Sequence, residues 1–188
     1  MRTRRLLRPG YTLFELILVL AILVLMAAIV YPSFQSMYEG FKLGEATDKV
    51  RGGWASARTY AVNDSRSYRF SVVPGKGNFR VAPDAAEFWS GAEVAANGEG
   101  LPFVLEDALP KGIRFTIGDN AVDATGESTL PAGSVDASQY QTVVIFLADG
   151  SARADVEILL HSTSTRAVSM RLRALTGAVS AKTLDPGQ

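Results

Sequence analysis

The chain has a single histidine, His161, which lies beside Ser162 and close to Ser164 at the predicted end of a strand. A serine hydrolase needs a histidine that takes the proton of a serine and is oriented by a carboxylate, and the spacing here does not indicate such a group. One histidine and no cysteine exclude a histidine metal cluster, thiolate sites and disulfides. No glycine-rich phosphate loop follows a predicted strand. We therefore predict no catalytic residues, no metal ion and no cofactor, so that the protein is not an enzyme.

A polar stretch over 118–138 brings Asp119, Asn120 and Asp123 close together in the sequence. Calcium loops use oxygen ligands at such short spacing, but they commonly close with a glutamate, and none stands at a clear position here. We favour a solvated acidic loop over a calcium site.

Arg166, Arg171 and Arg173 form the one concentrated basic patch in the C-terminal part of the chain. The 19 basic residues include four in the first ten positions, so without that stretch 15 basic residues face 19 acidic ones. Binding to a phosphate backbone needs a surplus of positive charge. We favour a solvated strand face over a weak DNA contact, and nucleic acid is not an expected partner.

Glu15 is an ionisable residue at the start of an apolar segment, and the fifteen residues that follow it are all apolar. A helix over 11–31 is about 30 Å long, which matches the hydrocarbon core of a bilayer. Four arginines precede the segment and no acid does, so the N-terminus is expected to stay cytoplasmic and the remainder to lie outside. A charge within such a segment costs roughly 3 kcal/mol or more and needs a partner.

A secretory signal peptide also has a basic start and an apolar stretch. This apolar stretch is longer than the apolar region of a typical signal peptide. The residues at its end, Val30-Tyr31-Pro32-Ser33, are too bulky for a signal-peptidase site. The processing signal is therefore expected before the apolar run.

The residues Gly10-Tyr11-Thr12-Leu13-Phe14-Glu15 resemble the N-terminus of type IV prepilins, although Tyr11 stands where that family usually has phenylalanine. The resemblance implies a leader over 1–10, cut after Gly10 by a prepilin peptidase that then N-methylates Tyr11. It also implies that Glu15 acts in assembly by pairing with the amine of a neighbouring subunit. Pairing within the chain, or a carboxylate that only reaches the membrane edge, are the alternatives.

Pro32 falls where pilins often carry a proline at the end of the apolar stretch. Because proline lacks the backbone N–H, it weakens or kinks a helix. The resemblance implies a flexible helix joint at Pro32, and a plain helix stop is the alternative.

The remainder, 32–188, is predicted to be one head in which a helix over about 33–62 packs on a single antiparallel β-sheet, whose strands lie within 66–183. The helix should bury one apolar stripe, bend or break at Gly52-Gly53, and end at Asn63-Asp64-Ser65. The stripe consists of Phe34, Met37, Tyr38, Phe41, Val50, Trp54, Ala57 and Ala61. The fold class is thus α+β and pilin-like. The predicted strands are 66–73, 78–82, 113–117, 142–147, 154–160, 167–174 and 178–183, with 142–147 central and buried on both faces. Hairpin turns are predicted at Pro74–Gly77 and Asp149-Gly150, and loops at 91–100 and 118–138.

Several head segments are similar to the GspH/FimT group of minor pseudopilins: 55–61, 109–113, 144–152, 168–172 and 176–179. The resemblance implies a structural subunit of a type II secretion pseudopilus, and a minor pilin of a type IV pilus, acting in assembly or DNA uptake, is the alternative. It implies a single-pass inner-membrane protein with a periplasmic head. Its expected partners are the prepilin peptidase, other pseudopilin or pilin subunits, and lipid.

Overall fold

The computed structural model describes residues 11–91, 95–117, 130–131, 134–162 and 167–184, without the side chains of 32–36. In these ranges one helix is followed by eight strands and two short 3-10 turns, Ala86–Phe88 and Ala137–Gln139. The elements are α1 Leu13–Asn63, β1 Tyr68–Val72, β2 Asn78–Pro83, β3 Leu105–Ala108, β4 Ile113–Thr116, β5 Gln141–Phe146, β6 Val156–Ser162, β7 Ala167–Leu172 and β8 Val179–Leu184. Backbone contacts divide the chain into two compact units, one up to Tyr38 and one from Glu39 onward.

The strands of the second unit form two antiparallel sheets instead of the single sheet predicted. Sheet A has the order β3-β2-β1-β5, and sheet B has the order β4-β6-β7-β8. The predicted α+β class, with a long helix that packs on antiparallel strands, is confirmed.

The prediction that 142–147 is a central strand buried on both faces is wrong. β5 is an edge strand of sheet A, where Val144 and Phe146 enter the core while Val143 and Ile145 on the other face are half-buried. The turn at Asp149-Gly150 does form, with Gly150 N–H donating to the Leu147 carbonyl. It closes a short hairpin, as predicted, because Phe146 bridges Ala152 in antiparallel fashion and the Arg153 N–H donates to the Ile145 carbonyl at 2.9 Å. The two long strands on either side belong to different sheets, since β5 pairs with β1 whereas β6 pairs with β4 and β7. The hairpin therefore carries the chain from sheet A to sheet B.

The predicted buried stripe of α1 is confirmed from Val50 onward, since Val50, Trp54, Ala57 and Ala61 are at most 1% exposed. They pack with aromatic side chains of sheet A and with aliphatic side chains of sheet B in one core. The Trp54 ring meets the Phe70 ring edge to face, with centroids 6.0 Å apart. Burial of a Trp side chain of this kind is typically worth several kcal/mol.

The same stripe was expected to include Met37, Tyr38 and Phe41, and these three side chains are exposed. At about 100° per residue, Phe41 lies on the opposite side of the helix from Val50. Leu43 and Ala46 take the buried positions of that part of α1.

Tyr68, at the start of β1, fixes the end of α1. Its hydroxyl donates to a carboxylate oxygen of Asp64 and accepts the Phe103 N–H at 3.1 Å. Burial is the larger cause, and the hydrogen bond to Asp64 the next, of a rise in the pKa of Tyr68 to about 12. The predicted helix end is confirmed, since α1 ends at Asn63 and Ser65 has a positive φ of 51°.

The predicted bend or break at Gly52-Gly53 is wrong, because α1 continues through both residues. The two glycines have different surroundings. A Cβ on Gly53 would stand 2.9 Å from Cε2 of Phe70 and 3.3 Å from Cε2 of Phe79, whereas a Cβ on Gly52 would have no atom within 4 Å. Gly53 therefore allows the close approach of α1 to sheet A.

Arg58 joins three segments that are far apart in the sequence. Its Nη1 donates to the Thr176 carbonyl at 3.2 Å, and a Cβ on Gly177 would overlap its guanidinium group. A Cβ on Gly150 would lie 3.4 Å from its Nε. Gly150 and Gly177 both have positive φ, 80° and 66°. The turns before β6 and before β8 thus close around one helix side chain.

Gly53→Ala should lower the free energy of unfolding by about 1–2 kcal/mol, because the cost of overpacking exceeds the gain in helix propensity. Gly52→Ala, the matched control, should raise it by about 0.5–1 kcal/mol. Chemical denaturation of the two variants measures both changes. Equal effects of the two substitutions would contradict the close approach at Gly53.

Gly177→Ala should destabilise the head by about 2–4 kcal/mol, through backbone strain and displacement of Arg58. Gly100→Ala has a similar positive φ of 73° but open space around it, and it should cost only about 1–2 kcal/mol. Adding Arg58→Ala to Gly177→Ala should cost less than the two separate losses together, as thermal unfolding would show. Additive losses would mean that Arg58 does not hold this turn.

Candidate functional site

The first part of α1 is apolar on every side. Leu13–Tyr31 has a mean hydropathy of 3.1, and none of it is buried within the protein. At 19 residues it is about 28 Å long, enough to cross a bilayer core. Within the described residues this is one helix long and apolar enough to span a membrane. A signal sequence near an N-terminus can have the same length and composition. Only the residues at the beginning of the segment can therefore distinguish a prepilin-like anchor from a signal sequence.

At that beginning, Thr12 caps the helix. The Glu15 N–H donates to the Thr12 Oγ1 at 3.2 Å, and the helix begins at Leu13. A Thr followed three positions later by Glu is the pattern of a capping box, and the carboxylate of Glu15 in the first turn is favoured by the helix dipole. The spacing of Thr12 and Glu15 in the sequence is itself the signal for this cap. Tyr11 lies outside the helix, and its side chain is exposed.

Gly10 and the rest of the leader lie outside the described residues, so cleavage after Gly10, methylation of Tyr11 and the assembly role of Glu15 stay predictions. α1 does not end at Pro32, so the alternative of a plain helix stop there is wrong. The flexible joint at Pro32 stays a prediction.

The basic patch is not a purely cationic surface. Arg173 Nη1 donates to Asp155 Oδ2 at 2.9 Å, and Arg171 lies directly opposite Glu157 in the register of β6 and β7. Two hydrogen bonds hold the pKa of Asp155 below its usual range: the larger effect comes from the Ala174 N–H and the smaller from Arg173. This carboxylate therefore stays charged beside the arginines. The third member of the patch, Arg166, lies outside the described residues.

His161 is exposed on β6, with Arg114 opposite it on β4. The neighbouring Ser162 hydroxyl donates to Oε2 of Glu39, and Ser164 lies outside the described residues. Asp119, Asn120 and Asp123 also lie outside them. In the part of the chain that the structure describes, no three His, Cys, Asp or Glu side chains lie together as a metal site would require.

Neither a scan against protein-family models nor a search of curated proteins finds a match. Among solved structures, the chain is similar to the minor pseudopilin EpsH from the Type 2 Secretion System of Vibrio cholerae. The sequences are 10% identical, the TM-score is 0.46, and the alignment covers 78% of this chain and 99% of the other. At these values the similarity does not indicate a function. A function has to be inferred from the residues of this chain.

Proposed function

We propose that this chain is a membrane-anchored pilin-type subunit, a minor pseudopilin of a type II secretion pseudopilus. The observation that carries the proposal is the position of an unburied apolar helix, Leu13–Tyr31, directly after the prepilin-like residues Gly10–Thr12. A secretory signal peptide would be removed after its apolar part. A prepilin keeps the apolar part, because its leader ends before it.

The division of α1 supports the proposal. Its first part has no protein around it, and a stripe of its second part is buried in the core of the head. Apolar side chains on all faces are favourable in lipid or among other apolar helices, and costly in water. A subunit that is held in the inner membrane and later packed among other helices of a filament meets this requirement in both states.

The position of Glu15 in the first turn of α1 supports a role of this helix in assembly with other subunits. Once the leader is removed, the new amine of Tyr11 would lie at the helix N-terminus, where the helix dipole disfavours a positive charge. The Glu15 carboxylate, about one turn away, would offset that charge, either in its own chain or in a neighbouring subunit. The bond to Thr12 Oγ1 uses the backbone N–H of Glu15 and not its carboxylate.

A minor pilin of a type IV pilus shares all these features and is the second candidate. A variant that takes up DNA through Arg166, Arg171 and Arg173 is less well supported, because Asp155 and Glu157 lie among the arginines and would repel phosphate.

Co-expression with a prepilin peptidase should yield a mature chain that begins at N-methylated Tyr11, as mass spectrometry of the intact N-terminal peptide would show. Without the peptidase, the leader should remain attached. A mature terminus near Ser33 would mean an ordinary signal peptide and would overturn the proposal.

Glu15→Ala should be processed and inserted normally, because it removes a charge that is costly in a membrane. It should fail to enter filaments, since the partner of the Tyr11 amine is lost. Glu45→Ala, which removes an exposed carboxylate from the later part of the same helix, is the matched control and should assemble. Chemical cross-linking to neighbouring subunits measures the difference, and undiminished cross-linking of Glu15→Ala would reduce α1 to a simple anchor.

A further inference from the structure

The outer edge of β8 is a regular strand edge of six residues. β8 closes sheet B on one side and pairs with β7 over all six of its residues without a shift of register. Within the described ranges, no residue pairs with its other side. Such an edge is a template for a further strand, and proteins that stay monomeric usually protect it.

The other three sheet edges are shorter or less regular than the edge of β8. β3 and β4 are only four residues long, and β3 carries Glu106 and Asp107. β5 meets β1 with a shift of register between Phe70 and Ser71, which interrupts its regularity. β8 is six residues long, is regular, and has one charged residue, Lys182.

The hydrogen bonds of the preceding turn show which backbone groups of β8 point outward. The Arg173 N–H donates to the Ala178 carbonyl at 3.0 Å, which makes 173 and 178 a hydrogen-bonded pair. Because such pairs alternate along an antiparallel ladder, Ser180 and Lys182 bond to β7. Val179, Ala181 and Thr183 then direct their N–H and C=O groups to the open edge.

A groove beside this edge leaves room on the helix side. It has a volume of about 290 Å³ and lies between Gly40, Gly44 and Thr47 of α1 and Val168, Ala181 and Thr183 of sheet B. A Cβ on Gly40 or Gly44 would have no atom within 4 Å. The groove shows that sheet B leaves this part of α1 uncovered beside β8.

We propose that β8 of one copy pairs antiparallel with β8 of a second copy, about a two-fold axis at Ala181. The two B sheets then form one continuous eight-stranded sheet. Ala181 lies opposite Ala181 of the other copy, so small side chains meet over the groove, and Val179 lies opposite Thr183. All the outward backbone groups of Val179, Ala181 and Thr183 gain partners in this register.

Charge also fits a second copy in this register. The single charged residue of β8, Lys182, lies opposite Ser180 of the other copy, so that no like charges oppose each other, as they would in a pairing centred on Lys182. Six-residue strands bury less area than the roughly 800 Å² per partner of a standard interface. Anchoring of both copies in one membrane would compensate by raising their effective concentration.

Because the chain has no cysteine, introduced cysteines report single positions. In the proposed register Ser180 and Lys182 form a non-hydrogen-bonded pair with Cα atoms about 4.5 Å apart, within reach of a disulfide. Full-length Ser180→Cys and Lys182→Cys chains of different tag size, co-expressed in one membrane and oxidised, should form a mixed dimer. Ser180→Cys alone should not cross-link, because its two copies are diagonal neighbours about 7–8 Å apart.

Ala181→Pro separates pairing from folding. It removes an outward N–H while the ladder to β7 keeps its bonds, so the mixed disulfide should be lost with little change in melting temperature. Ser90→Cys, an exposed position away from β8, gives the background of random collision.

A mixed disulfide no stronger than the Ser90→Cys background would overturn the proposal. So would one that survives Ala181→Pro, or one that forms only when other pilin subunits are present. The pairing register comes from the head, whereas the shared membrane that raises the effective concentration rests on the proposed function. Processing at Tyr11 in the same samples tests that function separately.

Discussion

The head depends on one interaction, the burial of a single stripe of α1 between two sheets. Val50, Trp54, Ala57 and Ala61 are the helix side of a core whose other side comes from both sheets. Without cysteine, no disulfide supplements this packing. Gly53 has no side chain where α1 meets the rings of Phe70 and Phe79, so it sets how closely the helix and sheet A approach. Polar bonds then fix this arrangement at its edges, for example Lys49 of α1 to Asp107 of β3 at 3.1 Å.

The same helix has to be compatible with two different surroundings. In its later part a stripe faces protein and the opposite side faces water, whereas in Leu13–Tyr31 every side is apolar and exposed. Lipid, or the apolar helices of other subunits, would give this segment a favourable environment, which is consistent with the proposed membrane anchoring and assembly.

The sequence predicts the structure correctly where the conformation of a short segment depends on its own residues. The turn at Pro74–Gly77 joins β1 to β2 as predicted, with a positive φ at Gly75, and Asn63–Ser65 ends the helix. The sequence does not predict the structure where strand pairing and burial depend on residues far away along the chain. β3, Leu-Glu-Asp-Ala, has no strand pattern and pairs with β2 while Lys49 and Arg80 bind its two acids. The apolar run 142–147 predicts a buried strand, but only its pairing partners show that it is an edge.

Three of the sequence segments that resemble minor pseudopilins meet at Arg58. The segment 55–61 supplies the arginine, and 144–152 and 176–179 supply Gly150 and Gly177, beside which its guanidinium group lies. Their spacing along the chain gives no sign that they touch. The structure explains both glycines: the guanidinium group occupies the place of a Cβ at Gly177, and both Gly150 and Gly177 have a positive φ that glycine accepts without strain.

The central claim is that Leu13–Tyr31 lies in a bilayer while the head does not. Nitroxide labels at Leu23→Cys and at Ala55→Cys, an exposed position in the head part of α1, test it in the full chain reconstituted in lipid vesicles. The label at position 23 should be relaxed by oxygen and shielded from a water-soluble nickel complex, because oxygen concentrates in hydrocarbon. The label at position 55 should show the reverse. A label at position 23 that is as accessible to nickel as that at position 55 would contradict the account.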